Sequence, residues 1–593
     1  MQTIIDLFEN SVEKYADNPF MWEKRQGKYE PTSYKQTLTQ VEVLANGLLS
    51  IGVKPNDHIA LLSEGRNQWI VSELGILYTG AVNIPLSIKL EANEVLFRIN
   101  HSESRFLVVS NQQSVKIDKI KKDFSHVEKI IYLDEENLNT PEAISLDELI
   151  KSGKKYKEAH NNELQNRKKE IEGDHWANIT YTSGTTSDPK GIILTHRNYT
   201  ANVDQAYSLM DIPESYKTLL ILPLDHCFAH VAGIYSFMGK GASLAMVESG
   251  KNPLQTLKNI PVNIKEIKPD LLLSVPALAK NFKKNIDAGI KAKGKTMWNL
   301  YQFALKNAYK YNKEGFNKGV NGSAWRKPLV NLFDKILFEK VRAFFFFFLK
   351  FFIGGGALLD IELQRYFYAI GIPMMQGYGL SEATPIISSN ALHKHKLGSS
   401  GFLVNDLELK ICDDEGREVP QGEKGEIVVK GENVMYGYWK NDNATTDTIK
   451  NGWLHTGDMR YIEKDNVQNK PYTIEINYTN YEEIKSALRN DNLSKKKKKK
   501  KKQALQLIQS EINHFRKGGR FEGEFPERWL PSAIAVLEEG FNEQNKMMNS
   551  TMKIVRGKVT EFYRERIDYL YNKDGKGITN EINMKALEKI SQN

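Results

Sequence analysis

The chain is poor in cysteine. Its 593 residues hold two, Cys227 and Cys412, far apart and in no metal-ligand spacing. That excludes a disulfide framework and a cysteine-built zinc site, and it points to a reducing compartment, the cytoplasm. Long hydrophobic runs are also missing. None reaches the roughly 18 residues that a membrane span requires. No short-period repeat is present, which excludes solenoids and propellers. The first residues, "MQTIIDLFENSVEKY", lack the basic-then-apolar layout of a secretion signal. Excess charge of one sign is confined as well. The net charge is +9, but Lys495–Lys502 is an unbroken run of eight lysines. Without it the chain is at +1, and no basic stripe with interleaved aromatics stands out. A nucleic-acid partner is therefore not expected. The run itself reads as a solvated segment, with an acidic partner or a membrane surface as the alternative.

What is present is an alternation of short β-like runs and helical patterns. "HIALLSE" reads as a strand, "NQWIVSELGILYTG" as a helix and "AVNIPLS" as the next strand. "RFLVVS", "KIIYLD" and "DLLLSVPALAKNF" continue the series. Apolar strands separated by helices predict parallel sheets covered on both faces. The pattern turns helical from Met297 to Phe338. Five phenylalanines follow, Phe344–Phe348, read as a core helix end or a buried strand. The character changes after Asp458. The expected organisation is a large domain over residues 1–458 and a small domain over 459–593, with a Lys-rich linker at 490–502.

Four clusters carry candidate chemistry. "YTSGTTSDPKG", Tyr181–Gly191, follows the strand-like "NITYT". A flexible linker would share this composition. Equally, glycine frees successive N–H groups to face one anion, hydroxyls add donors, and Lys190 adds a positive charge. The spacing is not that of the Walker loop. "MQGYGLSEATP" sets Tyr378 between Gly377 and Gly379, where a ring can stack on a base, and Glu382 suits a magnesium ion bridging phosphates. "IGGGALLD" permits close approach of backbone to a flat ligand. "NGWLHTGD" ends in Asp458, able to accept two hydroxyl hydrogen bonds, as from a ribose. "LPLDHCFAH" adds His226 and His230. Each alone is more often structural than functional.

Together and in this order, the clusters resemble the adenylate-forming enzymes, and within them the long-chain fatty acyl-CoA synthetases. The resemblance runs from Met1 to Asp458 and again over Phe525–Tyr571; "GEKGEIVVKGENVMYGYWK" precedes the ribose motif as it does in that family. It implies an α/β fold: a large N-terminal domain of stacked α/β sheets and a small α+β C-terminal domain. It implies that Thr182, Ser183, Gly184, Thr185, Thr186 and Lys190 hold the β- and γ-phosphates of ATP. Gly355, Gly356 and Tyr378 would shape the adenine slot, within a cofactor-binding motif that includes Gln376, Gly377 and Gly379. Ser381 would meet the α-phosphate, Glu382 with Thr185 the Mg²⁺, and Asp458 the ribose. His226 would line the acyl pocket. Lys553 would contact the carboxylate and α-phosphate. The implied reaction activates a fatty acid with ATP to acyl-AMP and passes the acyl group to CoA.

The chain also departs from that pattern. Ser187 stands where Gly is usual, Ser381 where Thr is commoner, and Arg460 where Gly is usual. The Gly-Arg pair that opens the family's C-terminal lid is missing, and both homopolymer runs interrupt the expected sequence. These departures leave open transfer to a carrier protein instead of CoA, or a non-catalytic binder of ATP and fatty acid. Peripheral contact at the inner membrane face is a further expectation.

Overall fold

The computed structural model describes residues 2–134, 141–182, 189–462 apart from short gaps at 251, 275, 346–348, 357–358 and 414, then 468–469 and the greater part of 497–519, 534–548 and 556–590. Two compact units emerge. The larger comprises Met1–Thr182 with Lys190–Lys470, and the smaller is formed mainly by residues after Pro471.

Three sheets build the larger unit. The first has eight strands in the order Gly437–Tyr438, Gly191–Thr195, Trp176–Tyr181, Val82–Pro85, His58–Leu62, Phe106–Val109, Lys129–Tyr132 and Ala143–Ser145. From Trp176–Tyr181 onward the neighbours are parallel, and the first three strands pair antiparallel. Every residue of His58–Leu62, Val82–Pro85 and Phe106–Val109 is buried. That is why these strands read as continuous apolar runs and not as alternation. The second sheet has nine strands. At its centre Met374–Gly379, Phe351–Gly354, Leu271–Ser274, Lys217–Leu220 and Ser243–Met246 run parallel. The third sheet is antiparallel, pairing Glu408–Cys412, Gly425–Lys430, Trp453–Ile462 and Ile449–Lys450. The strands expected in the first 280 residues are all present, and Asn67–Tyr78 is a helix buried on nearly every side.

Some expectations shift. Asp458 does not end an element, since its strand runs on to Ile462. Lys497–Lys502 opens a helix, Lys497–Asn513, instead of a linker. Lysine is a good helix former, and Ala504 and Leu505 in the following turns bury against Val536, Ala586 and Leu587 of the smaller unit. Lys495 and Lys496 lie outside the described residues. Of the phenylalanine run, Phe344 and Phe345 end a helix that starts at Glu339, and Phe346–Phe348 lie outside the described residues. Both cysteines are buried and neither is in a disulfide. Among the described residues, no helix is long and apolar enough to cross a membrane.

Candidate active site

The loop after "NITYT" joins two antiparallel strands, Trp176–Tyr181 and Gly191–Thr195. Its base is cinched: the Thr182 N–H donates to the Lys190 carbonyl at 2.9 Å, and the Lys190 N–H donates to Thr182 Oγ1 at 3.2 Å. Ser183, Gly184, Thr185 and Thr186 lie outside the described residues.

Lys190 extends its ammonium over the Tyr438 ring, 4.7 Å from the centroid. The Tyr438 hydroxyl donates to Glu382 Oε1 at 2.9 Å. One phenol therefore joins the loop lysine to the carboxylate. Tyr438 takes its place because Gly437–Tyr438 pairs with Ile192–Ile193 at the sheet edge. Burial, and next the Glu382 charge, push the Tyr438 phenol well above its ordinary range, so it stays protonated and able to donate. Its other carboxylate oxygen leaves Glu382 with lone pairs to spare. A hard cation that keeps most of its water and takes one carboxylate plus phosphate oxygens fits such a donor.

Tyr378 forms a second group. Its hydroxyl donates to Asp458 Oδ2 at 2.8 Å. Burial and then the Asp458 charge push this phenol upward too. Asp458 is steadied by its own N–H, which donates to Thr456 Oγ1 at 3.1 Å, and the Gly457 N–H donates to Glu426 Oε1 at 2.8 Å. Gly457 holds a φ of +69°, which favours glycine at that turn. Arg460 stacks on the Tyr378 ring at 4.6 Å from the centroid and is 3% exposed. Its Nη1 donates to the Met459 carbonyl, whereas Nε and Nη2 have no partner among the described residues. Burial lowers its pKa. A buried guanidinium with two orphan donors beside the Asp458 carboxylate is costly unless an acceptor arrives.

The glycine-rich turn follows strand Phe351–Gly354, at the carboxyl ends of the central parallel strands. Ligands of open α/β sheets bind at that edge. A side chain at Gly355 would press on the Phe228 ring at 3.1 Å, and at Gly379 it would sit 1.8 Å from the Pro385 carbonyl oxygen. Gly377 would tolerate a methyl group at ordinary contact distance, and Gly356 faces open space with a φ of +78°. Ser381 and Glu382 form a short 3-10 turn, fixed where the Met435 N–H donates to the Glu382 carbonyl at 2.8 Å. Gln376 is 4% exposed and structural in its contacts. Its Oε1 accepts from the Leu359 N–H at 2.8 Å, and its Nε2 donates to the Gly377 carbonyl.

His226 and His230 separate cleanly. His226 is part-exposed, with Nε2 3.6 Å from Asp225. His230 is fully buried. Its Nε2 donates to the Leu224 carbonyl at 2.6 Å, and its Nδ1 lies 3.3 Å from both Asn178 Nδ2 and Tyr199 Oη, and 3.6 Å from Glu73. Asn178 belongs to the strand that leads to Thr182, so this cluster braces that strand against the segment carrying His226. Lys553 lies outside the described residues. Sequence reading gave no role to Tyr438, which is visible there only as an aromatic flanking a glycine.

The model of the AMP-binding enzyme family matches residues 8–439 of the chain. The chain belongs to that family. Two relatives from Arabidopsis thaliana align over almost the whole molecule. The probable acyl-activating enzyme 16, chloroplastic, is 28% identical, covering 96% of this chain and 89% of the relative. The long-chain-fatty-acid–[acyl-carrier-protein] ligase AEE15, chloroplastic, is 26% identical, covering 96% and 87%. The long-chain-fatty-acid–CoA ligase FadD15 of Mycobacterium tuberculosis is 26% identical, covering 74% and 69%. In fold, the chain is similar to the N-terminal domain of FACL13 from Mycobacterium tuberculosis, with a TM-score of 0.58 at 21% identity, covering 80% of this chain and all of that one. Within the AMP-binding enzyme family match fall the loop between Thr182 and Lys190, Glu382 and Tyr438. Asp458 and Arg460 lie just beyond its end.

Proposed function

We propose that the chain activates a long-chain fatty acid with ATP and then transfers the acyl group to CoA. The observation that carries the reading is the Lys190–Tyr438–Glu382 chain beside Tyr378–Asp458. It joins a cation, a metal-competent carboxylate, an aromatic face and a hydroxyl acceptor from strands of three sheets, with Tyr378 and Glu382 in one short stretch of chain, and ATP needs that set. The fatty carboxylate is ionised at neutral pH and needs no general base. Its oxygen attacks the α-phosphorus, an acyl–O–P bond forms, the α–β phosphoanhydride breaks and pyrophosphate leaves. Lys190 offsets charge on the β- and γ-phosphates, with Thr182–Thr186 as further donors. Glu382 and Thr185 would hold Mg²⁺, which would supply charge neutralisation to the phosphates. Asp458 takes the ribose hydroxyls, Gly355, Gly356 and Tyr378 the adenine, and Ser381 the α-phosphate. To Lys553 we assign contact with the reacting carboxylate and the α-phosphate, and to His226 the lining of the acyl pocket. In the second step the CoA thiolate attacks the acyl carbonyl and AMP leaves. We assign residues 1–458 to the domain that binds ATP and fatty acid and 459–593 to the lid, which adds Lys553.

Substrate class follows the relatives, FadD15 as a long-chain-fatty-acid–CoA ligase and AEE15 as a long-chain-fatty-acid–[acyl-carrier-protein] ligase. The second name supports a carrier-protein acceptor as the runner-up, since AEE15 aligns over 96% of the chain. Pyrophosphate release from ATP and palmitate tests the first step. Mass analysis with CoA or with a carrier protein distinguishes the acceptors. No palmitate-dependent pyrophosphate release would refute the activity, and release without either thioester would restrict it to the first half.

A further inference from the structure

Residues 291–342 hold twelve lysines and arginines against three acids. Sequence reading noted no basic stripe with aromatics. In the structure this segment carries one. Seven of the sixteen exposed large apolar side chains among the described residues lie between Leu300 and Ile336. The helix Lys295–Asn312 buries Tyr301, Ala304, Leu305 and Ala308, and the Tyr301 hydroxyl donates to Tyr366 at 2.7 Å. Its opposite side presents Leu300 and Phe303, three residues apart on one face, with Phe303 53% exposed. Lys306 and Lys310 follow on that side, and both are exposed.

Contacts join this stripe to the next turns. The Phe303 ring meets Phe333 edge-on at 5.8 Å, and Leu332 and Ile336, either side of Phe333 in sequence, are exposed. Arg326 donates to Asn307 Oδ1 on the first helix and lies over the Trp325 ring at 4.2 Å, which is itself 64% exposed. Leu300, Phe303, Trp325, Leu332 and Ile336 are thus exposed on elements that these contacts hold together, with Lys306, Lys310, Lys327 and Lys335 exposed along the same elements.

Exposed apolar patches with this composition mark interaction sites. We propose that this face docks on an anionic lipid bilayer. Aromatic and aliphatic side chains enter the headgroup layer, and lysines lay their alkyl stems along it while their ammonium groups reach the phosphates. The cation excess supplies the attraction to a negatively charged leaflet. The assignment is independent of the lysine run at Lys495–Lys502.

Sedimentation with vesicles of phosphatidylcholine and one-third phosphatidylserine, without ATP or fatty acid, tests it. The wild-type chain should bind these vesicles and bind pure phosphatidylcholine far less. Its binding should weaken as salt rises, since exposed charges are screened within about 10 Å at 0.1 M. The double variant Phe303→Ser with Trp325→Ser should lose at least about tenfold in partitioning. Lys306→Glu with Lys310→Glu, which spares the apolar groups, should lose a similar amount. Replacing Lys495–Lys502 by alternating Gly and Ser should leave binding in place. No wild-type binding, or binding lost with the lysine run and kept in both patch variants, overturns the proposal. So does patch-dependent capture of an acidic carrier protein without vesicle binding.

Discussion

Tyr438→Phe removes one oxygen and keeps the ring beneath Lys190. The lost hydrogen bond runs from a buried phenol to a carboxylate at 2.9 Å. A bond to a charged group contributes about 1.5–3 kcal/mol, and the part-exposed Glu382 brings this towards the lower end, about 1–2 kcal/mol. That corresponds to about five- to thirtyfold. The loss should fall on magnesium and ATP together, because Glu382 no longer has its orientation fixed. Tyr438→Leu also deletes the cation–π contact at 4.7 Å, adding about 0.5–1 kcal/mol. Pyrophosphate exchange at varied Mg²⁺ and ATP reads both. The expected order is wild type, then Phe, then Leu, with the Phe variant needing several-fold more Mg²⁺. The phenol's raised pKa sets the pH window. Its contribution is full below the ordinary tyrosine value of about 10 and is lost only as pH rises well beyond it, so this group imposes no alkaline limb below pH 10. An unchanged Mg²⁺ requirement in both variants would refute the assignment of Lys190, Tyr438 and Glu382 to one phosphate–metal site.

Arg460→Met exchanges a buried charge with two orphan donors for an apolar chain of similar length. Thermal stability should hold or rise by about 1 kcal/mol while the KM for ATP rises, and a clear fall in melting temperature would show that those donors are satisfied in the free protein. Gly379→Ala sets a methyl carbon 1.8 Å from the Pro385 oxygen and should abolish nucleotide binding, whereas Gly377→Ala should be mild; matched ATP titrations distinguish them. His226→Ala should slow turnover at unchanged melting temperature. His230→Ala leaves Asn178, Tyr199 and the Leu224 carbonyl short of a partner and should cost about 2–4 kcal/mol by denaturant unfolding. Burial lowers the His196 pKa to about 3. The unfolded chain then binds the extra proton first, so stability should fall as pH drops from about 6.5 towards 3, and His196→Gln should flatten that slope.

The candidate site groups that sequence reading named are those local in the chain. The strand before Thr182, the turn at Gly355, the Tyr378–Glu382 stretch and the strand bearing Asp458 each announce themselves within about ten residues. Gly379 shows why: its role is set by Pro385, six residues on. The stacked parallel sheets were legible for the same reason, because strands such as Phe106–Val109 are buried along their whole length and carry no polar alternation. What escaped depends on pairing across the chain. Tyr438 meets Lys190 and Glu382 only because Gly437–Tyr438 adds to the edge of Gly191–Thr195, and nothing near residue 438 encodes that partner. Gln376 sits in the middle of a stretch read as a ligand-binding motif, yet its amide is taken by the backbone of Gly377 beside it and of Leu359 in the turn after Phe351–Gly354. The basic segment shows the complementary limit. Its lysines and aromatics are plain in the sequence, but helical periodicity also buries aromatics. Only packing decides that Tyr301 turns inward to Tyr366 while Phe303, two positions later, faces out. The site motifs are local and the surface is not, so substitutions at Phe303 and Trp325 can alter where the protein sits without altering the groups gathered around Lys190 and Asp458.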